Sequence, residues 1–107
     1  MRAALEKLLA AGRDDALLRF SLGSACLKDG DATAAADHLR HAIGHDPNYS
    51  AAWKLLGQAL LESGQVAEAA DAWERGVGVA ESRGDVQAAK EMRVFTKRAR
   101  KQARGPE

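Results

Sequence analysis

The chain has 107 residues, of which 46% are hydrophobic and 29% are charged, and its formal net charge is +1. This length allows one small domain with a single core, and no apolar run comes near the roughly 20 residues that a membrane span requires. Helix-favouring residues dominate and there are only 2 prolines, so the composition predicts an all-α domain.

The start of the chain and its cysteine content indicate where the protein works. Glu6 and Lys7 stand where a signal peptide would need its apolar stretch. The lone Cys26 cannot form an internal disulfide, which fits a reducing compartment. We therefore expect a soluble, cytoplasmic protein.

Three helices are predicted in the first half of the chain. Residues 1–12 form a short leading helix with three leucines on one side. Asp14 or Asp15 can cap a second helix that runs to about Lys28, and Asp31 can cap a third from Ala32 to Gly44.

Three more helices are predicted after a turn at Pro47. Asn48 is a suitable cap for a helix that reaches Glu62, and the next helix runs from Val66 to about Ser82. The last spans residues 86–103, with small and apolar residues along one stripe and basic residues over most of the rest. Residues 105–107 are expected to fray.

A shift of 34 residues superposes the sequence on itself. Leu22-Gly23 falls on Leu56-Gly57, Ala35-Ala36-Asp37 falls on Ala69-Ala70-Asp71, and Leu39 falls on Trp73. Leu5 and Leu9 of the leading helix lie 34 residues before Leu39 and Ile43. The chain thus contains two full repeats, preceded by part of a third.

These residues resemble the tetratricopeptide repeat family, whose unit is a 34-residue helix–turn–helix. Trp53, Leu56, Gly57, Ala69 and Trp73 stand at its signature positions in the second repeat. Three positions depart from the family pattern: Arg19 replaces a bulky aromatic residue, Gly76 an alanine and Glu81 a proline.

The resemblance implies one domain over residues 1–104, built as a right-handed stack of antiparallel helical hairpins. Its parts would be a leading half-unit (1–12), repeat 1 (15–48), repeat 2 (49–82) and a capping helix (86–103) that seals the end of the core.

The resemblance also implies a binding surface on the inner, concave wall, formed by the first helix of each repeat. Several of its positions are apolar although the stack alone does not require it, and two lysines add charge. The implied groove residues are Leu17, Phe20, Ser24, Leu27, Lys28, Ala51, Lys54, Gln58 and Leu61.

We expect a non-catalytic module that binds a peptide or partner protein through this wall. Two alternatives would also account for the apolar residues: a second copy of the chain covers them in a homodimer, or the leading helix covers them within one chain. A clamp for a terminal carboxylate is not expected, because Phe20, Ser24 and Leu55 occupy the family's clamp positions.

The remaining candidate sites give weaker signals. His38, His41 and His45 share one face of a helix, a spacing that could recruit a metal, but solvated histidines are the simpler interpretation because one straight helix cannot surround an ion. Cys26 falls at a core position and is interpreted as a small buried residue. No grouping typical of a catalytic centre or cofactor site occurs, so no catalysis, cofactor or metal is predicted.

Charge is distributed unevenly along the chain. Residues 1–82 carry 8 basic and 12 acidic side chains, whereas residues 83–107 carry 8 basic and 3 acidic ones. The basic last helix could attract nucleic acid, although its one aromatic residue, Phe95, belongs to the buried stripe. A solvated capping face is the first interpretation, an acidic partner is the second, and nucleic acid is the third.

Overall fold

The computed structural model describes residues 1–105, which form six α-helices and no strand. The prediction of an all-α stack of helical hairpins is confirmed. Of the tail predicted to fray, residues 106 and 107 lie outside the described residues. The helices are α1 (Arg2–Ala10), α2 (Ala16–Lys28), α3 (Ala32–His45), α4 (Ser50–Glu62), α5 (Val66–Ser82) and α6 (Val86–Arg104).

Aspartate side chains begin three of the helices. Asp15 accepts a hydrogen bond from the amide of Leu18, and Asp31 and Asp85 cap α3 and α6 in the same way. The predicted cap at Asn48 is wrong. Tyr49 is the capping residue of α4 and no side chain caps that end, since α4 begins one residue later than the prediction placed it. The main-chain N–H of Asn48 donates to the Asp46 carboxylate in the preceding turn.

The helices α2 to α6 form two rows, α2–α4–α6 and α3–α5, and neighbouring helices lie closer together in the first row than in the second. Each helix packs against the next along the chain, and in addition α4 contacts both α2 and α6. The Cα atoms of α3 and α5, by contrast, do not approach within 8 Å of one another. Because α2, α4 and α6 are closer together than α3 and α5, the stack curves around the α2–α4–α6 row, which is its inner wall.

Two glycines set the close packing within the hairpins. A β-carbon added at Gly23 would lie 2.5 Å from the Leu39 side chain, and one at Gly57 would overlap the indole of Trp73. The large residue on the second helix of each hairpin therefore fills the space that the missing side chain leaves on the first. Trp73 is also anchored by a 2.9 Å hydrogen bond from its indole nitrogen to the Lys54 carbonyl.

The leading helix α1 is the least buried element. It packs only against α2, and none of its residues is fully buried. Leu5 and Leu9 are half-buried, whereas Leu8 is exposed. Its amino end is held by Arg2, whose guanidinium lies 3.1 Å from Asp31 and 3.8 Å from Asp29.

Candidate functional site

The predicted groove residues differ in their exposure. Leu17 is 60% exposed, and Lys28, Ala51 and Gln58 are exposed. The other five are half-buried: Phe20, Ser24, Leu27, Lys54 and Leu61. Three of the nine line a single hollow, and the others lie along α2 and α4 outside it.

That hollow is a groove of about 500 Å³ between α1 and α2. From the predicted set it brings together Phe20, Ser24 and Lys28. The leading helix thus forms one side of the groove and leaves it open. The α1 side is lined by Met1, Arg2, Ala3 and Glu6, and the rest of the α2 side by Ser21, Ala25 and Asp29.

Phe20 is held in place by an aromatic partner. Its ring stacks on that of Tyr49, with centroids 4.9 Å apart and an interplanar angle of 24°. Burial raises the pKa of the Tyr49 phenol, so the phenol is neutral and the pair presents an uncharged aromatic surface. Tyr49 was missed from the sequence because it stands at a repeat position where the first repeat has Asp15.

The rim of the groove carries both signs of charge. Arg2 also lies 3.4 Å from Glu6, one turn along α1. The hydrogen bond with Asp31 raises the pKa of Arg2, while the amide of Ala34 and then Arg2 lower the pKa of Asp31. Lys28 makes no ion pair within residues 1–105, so it is a cation available to a ligand.

Toward the carboxyl end of the inner wall, α4 is joined to α6 by an ion pair. The Lys54 ammonium lies 2.9 Å from the Glu91 carboxylate of α6. Gln58 donates to Glu62, one turn further along α4, over 2.9 Å. The polar side chains of Lys54 and Gln58 are therefore both paired within the chain.

The interpretation of the histidines as solvated is wrong for His38, which is half-buried. The Arg19 guanidinium holds Asp14 at 2.8 Å and 2.9 Å and lies 3.1 Å from Nδ1 of His38. Asp14 in turn lies 2.9 Å from Nε2 of His45, which is exposed. Arg19 is one of the departures from the family pattern noted in the sequence, and this cluster is the reason that an arginine can stand at an aromatic position.

The electrostatics of the cluster follow from its contacts. A guanidinium can only donate, so Nδ1 of His38 accepts the hydrogen bond and carries no proton. Burial first, and then the charge of Arg19, lower the pKa of His38. Hydrogen bonds from Arg19 and then from His45 hold the pKa of Asp14 well below its usual range. Within residues 1–105, no three His, Cys, Asp or Glu side chains are placed to hold a metal ion.

Cys26 lies in the core with no exposed surface. Burial raises the pKa of its thiol, so the thiolate that a nucleophile requires is disfavoured. Among the described residues, no helix is long and apolar enough to cross a bilayer.

Comparison with known proteins identifies the family. A model of the tetratricopeptide repeat matches residues 26–92. This chain belongs to the tetratricopeptide repeat family. A TPR repeat-containing protein of Pseudomonas aeruginosa is 53% identical over 94 residues, which cover 88% of this chain and 90% of that protein.

Solved structures of tetratricopeptide repeat type share the fold. A protein of Bordetella parapertussis is similar at a TM-score of 0.80 and 45% identity, over 95% of this chain and 89% of that one. A tetratricopeptide repeat domain protein of Salinibacter ruber gives a TM-score of 0.77 over 87% of this chain and 94% of that one, and at 22% identity it shows the fold alone. Tetratricopeptide repeats generally mediate protein–protein interactions and are generally non-catalytic.

Proposed function

We propose that this tetratricopeptide repeat protein binds a short segment of a partner polypeptide along the open part of its inner wall, without catalysis. The observation that carries the proposal is the groove between α1 and α2, which remains open beside the aromatic ring of Phe20. The groove combines the apolar surface of Phe20 with polar and charged side chains, and such a mixture suits a polypeptide segment that carries both kinds of side chain.

The charged residues at the rim indicate which side chains the bound segment should carry. Lys28 and the half-buried Arg2 lie on opposite sides of the groove, and Glu6 and Asp29 lie beside them. We expect a segment that inserts one apolar side chain against Phe20 and places an acidic side chain near Lys28. Leu17, one turn from Phe20 along α2, extends the apolar surface beyond the groove.

Peptide selection followed by a matched pair of variants tests this proposal. A displayed peptide library would be selected on the protein, and the affinity of enriched peptides measured by fluorescence anisotropy. Ala3→Trp places an indole at the rim of the groove, whereas Ala4→Trp adds the same group to a neighbouring exposed position that does not line it.

We expect Ala3→Trp to weaken peptide affinity at least tenfold and Ala4→Trp to leave it unchanged. Equal affinities for the two variants would contradict a ligand site in this groove. Because both positions are exposed on α1, neither change disturbs the core, and thermal unfolding verifies that.

Self-association through the same wall is the competing function, and the exposure of Leu17 favours it. Light scattering coupled to size exclusion separates the two. A monomer at all concentrations supports partner binding, whereas a dimer that Leu17→Ser returns to monomer supports self-association.

A further inference from the structure

The outward face of α6 carries a line of lysines that the fold does not use. Lys90, Lys97 and Lys101 are separated by seven and four residues, so they lie on one face of the helix. All three are exposed, and none takes part in an ion pair within residues 1–105. They extend over about 16 Å of helix axis.

Arginines on the flank of the same helix have a different role. Arg100 lies 2.9 Å from Asp71 and 3.3 Å from Glu74, both on α5. Arg93 pairs with Glu81 at the end of α5. These two arginines attach the capping helix to the stack, so the structural need for basic residues is met without the outward lysines.

Exposed valines accompany the lysine line. Val94, which lies four residues after Lys90 on the same face, is 47% exposed, and Val86 is 62% exposed. Val94 falls between Lys90 and Lys97 along the helix. The two valines give a partner apolar contact between the charges.

We propose that this outward face of α6 (Lys90, Val94, Lys97 and Lys101) is a second docking surface, and that its partner is an acidic amphipathic helix of another protein. Acidic side chains one and two turns apart on the partner would face the lysines, and an apolar side chain between them would contact Val94. This surface lies on the outside of the capping helix and is separate from the groove beside Phe20.

Two other polyanions fit the face less well. Single-stranded nucleic acid binds through aromatic side chains on which bases stack, and the only aromatic residue of α6, Phe95, packs against Trp73 with ring centroids 5.2 Å apart. An anionic membrane would bind an amphipathic helix through its apolar face, and that face of α6 is buried through Ala89, Met92 and Ala99.

The test uses the whole protein and a designed helical peptide. The peptide carries glutamates at positions i, i+4, i+7 and i+11 with one leucine between them on the same face, and a second peptide has the same composition in scrambled order. Fluorescence anisotropy at low and at physiological salt measures binding of both, alongside oligo(dT) and phosphatidylserine vesicles.

Two triple variants separate charge from fold. K90Q/K97Q/K101Q removes the charge, whereas K90R/K97R/K101R keeps it, and circular dichroism checks that both retain the helical content. We expect the glutamine variant to bind the ordered peptide about tenfold more weakly, since three exposed ion pairs are lost, and the arginine variant to bind like the wild type. Val94→Ser should weaken binding severalfold, and Ala4→Trp on α1 should leave it unchanged.

Four results would overturn the proposal: no binding of the ordered peptide, equal binding of the scrambled one, equal affinity of the glutamine variant, or tighter binding of oligo(dT) or vesicles than of the peptide.

Discussion

The two repeats of this chain fill one equivalent packing position with very different residues. In repeat 2 the position holds Trp53, whose indole nitrogen donates to the Pro47 carbonyl over 2.8 Å while Arg75 lies 4.9 Å from the ring centroid. In repeat 1 it holds Arg19, whose side chain is only 11% exposed and whose guanidinium contacts Asp14 and His38.

The comparison shows what the repeat requires at this position. Both side chains are long, flat and nearly buried, and both have every buried polar atom paired, since no buried side-chain nitrogen or oxygen within residues 1–105 lacks a partner. Both repeats therefore place a large, flat group at this position, but the group is aromatic in repeat 2 and charged in repeat 1. Arg19 depends on Asp14 and His38 at the same time. The stability of repeat 1 should therefore depend on pH and on single charge changes, whereas the stability of repeat 2 should not.

The largest expected effect is the loss of the large residue that faces the helix glycine. Trp73→Ala in repeat 2 should lower the free energy of unfolding by about 3–5 kcal/mol, because it leaves a cavity beside Gly57. Leu39→Ala, the equivalent change in repeat 1, should cost about 2–4 kcal/mol because the lost volume is smaller. Urea unfolding of both variants measures the difference, and near-native stability of Trp73→Ala would contradict the packing of Trp73 against Gly57.

Breaking the polar cluster of repeat 1 should have an intermediate effect that depends on the partner. Asp14→Asn should destabilise the protein when Arg19 is present, because a nearly buried guanidinium then loses its carboxylate. In the background of Arg19→Met the same change should have little effect. A double-mutant cycle measured by urea unfolding gives the coupling. Equal effects of Asp14→Asn in both backgrounds would show that the two residues do not interact.

The pH dependence should distinguish the repeats. Because burial and Arg19 lower the pKa of His38 in the folded state, the unfolded chain binds more protons as the pH falls through about 6.5. The contribution of His38 to the free energy of unfolding is therefore complete above that pH and is lost progressively as the pH falls below it. His38→Ala introduces the residue that repeat 2 has at the equivalent position, Ala72.

Unfolding free energies of the wild type and His38→Ala should converge as the pH is lowered from about 7.5 to about 5.5, the wild type losing more. Parallel curves for the two proteins would show that His38 does not contribute to the pH dependence.

The smallest expected effect is a gain at two exposed glycines. Gly44 and Gly78 are equivalent residues on α3 and α5, and a β-carbon at either would meet nothing within 4 Å. Gly78→Ala should therefore raise the unfolding free energy by about 0.5–1 kcal/mol, because alanine restricts the unfolded chain. Gly57→Ala is the control and should destabilise the protein, since its β-carbon would overlap Trp73. A loss of stability in Gly78→Ala would show that the site is not open.

Most of the fold could be predicted from the sequence because each repeat places small and large residues at fixed positions. Gly57 and Trp73 identify a close approach and the residue that fills it, and Asp31 identifies a helix start. Less of the candidate binding site could be predicted from the sequence. The resemblance to the family implied that Lys54 lies on the inner wall, but only the packing of α6 shows that Lys54 pairs with Glu91.

Contacts between distant segments account for what the sequence did not predict. Tyr49, at the start of repeat 2, stacks on Phe20 of repeat 1, and Arg19 of α2 contacts His38 of α3. Such contacts depend on how hairpins dock, which helical periodicity does not encode.

Backbone amide chemical shifts measured during titration with a library-selected peptide test the central claim most directly. We predict that the largest shift changes fall on α1, on α2 around Phe20 and Ser24, and at Tyr49, and that they saturate together. Changes confined to α3 and α5, on the outer row, would contradict recognition through the inner wall.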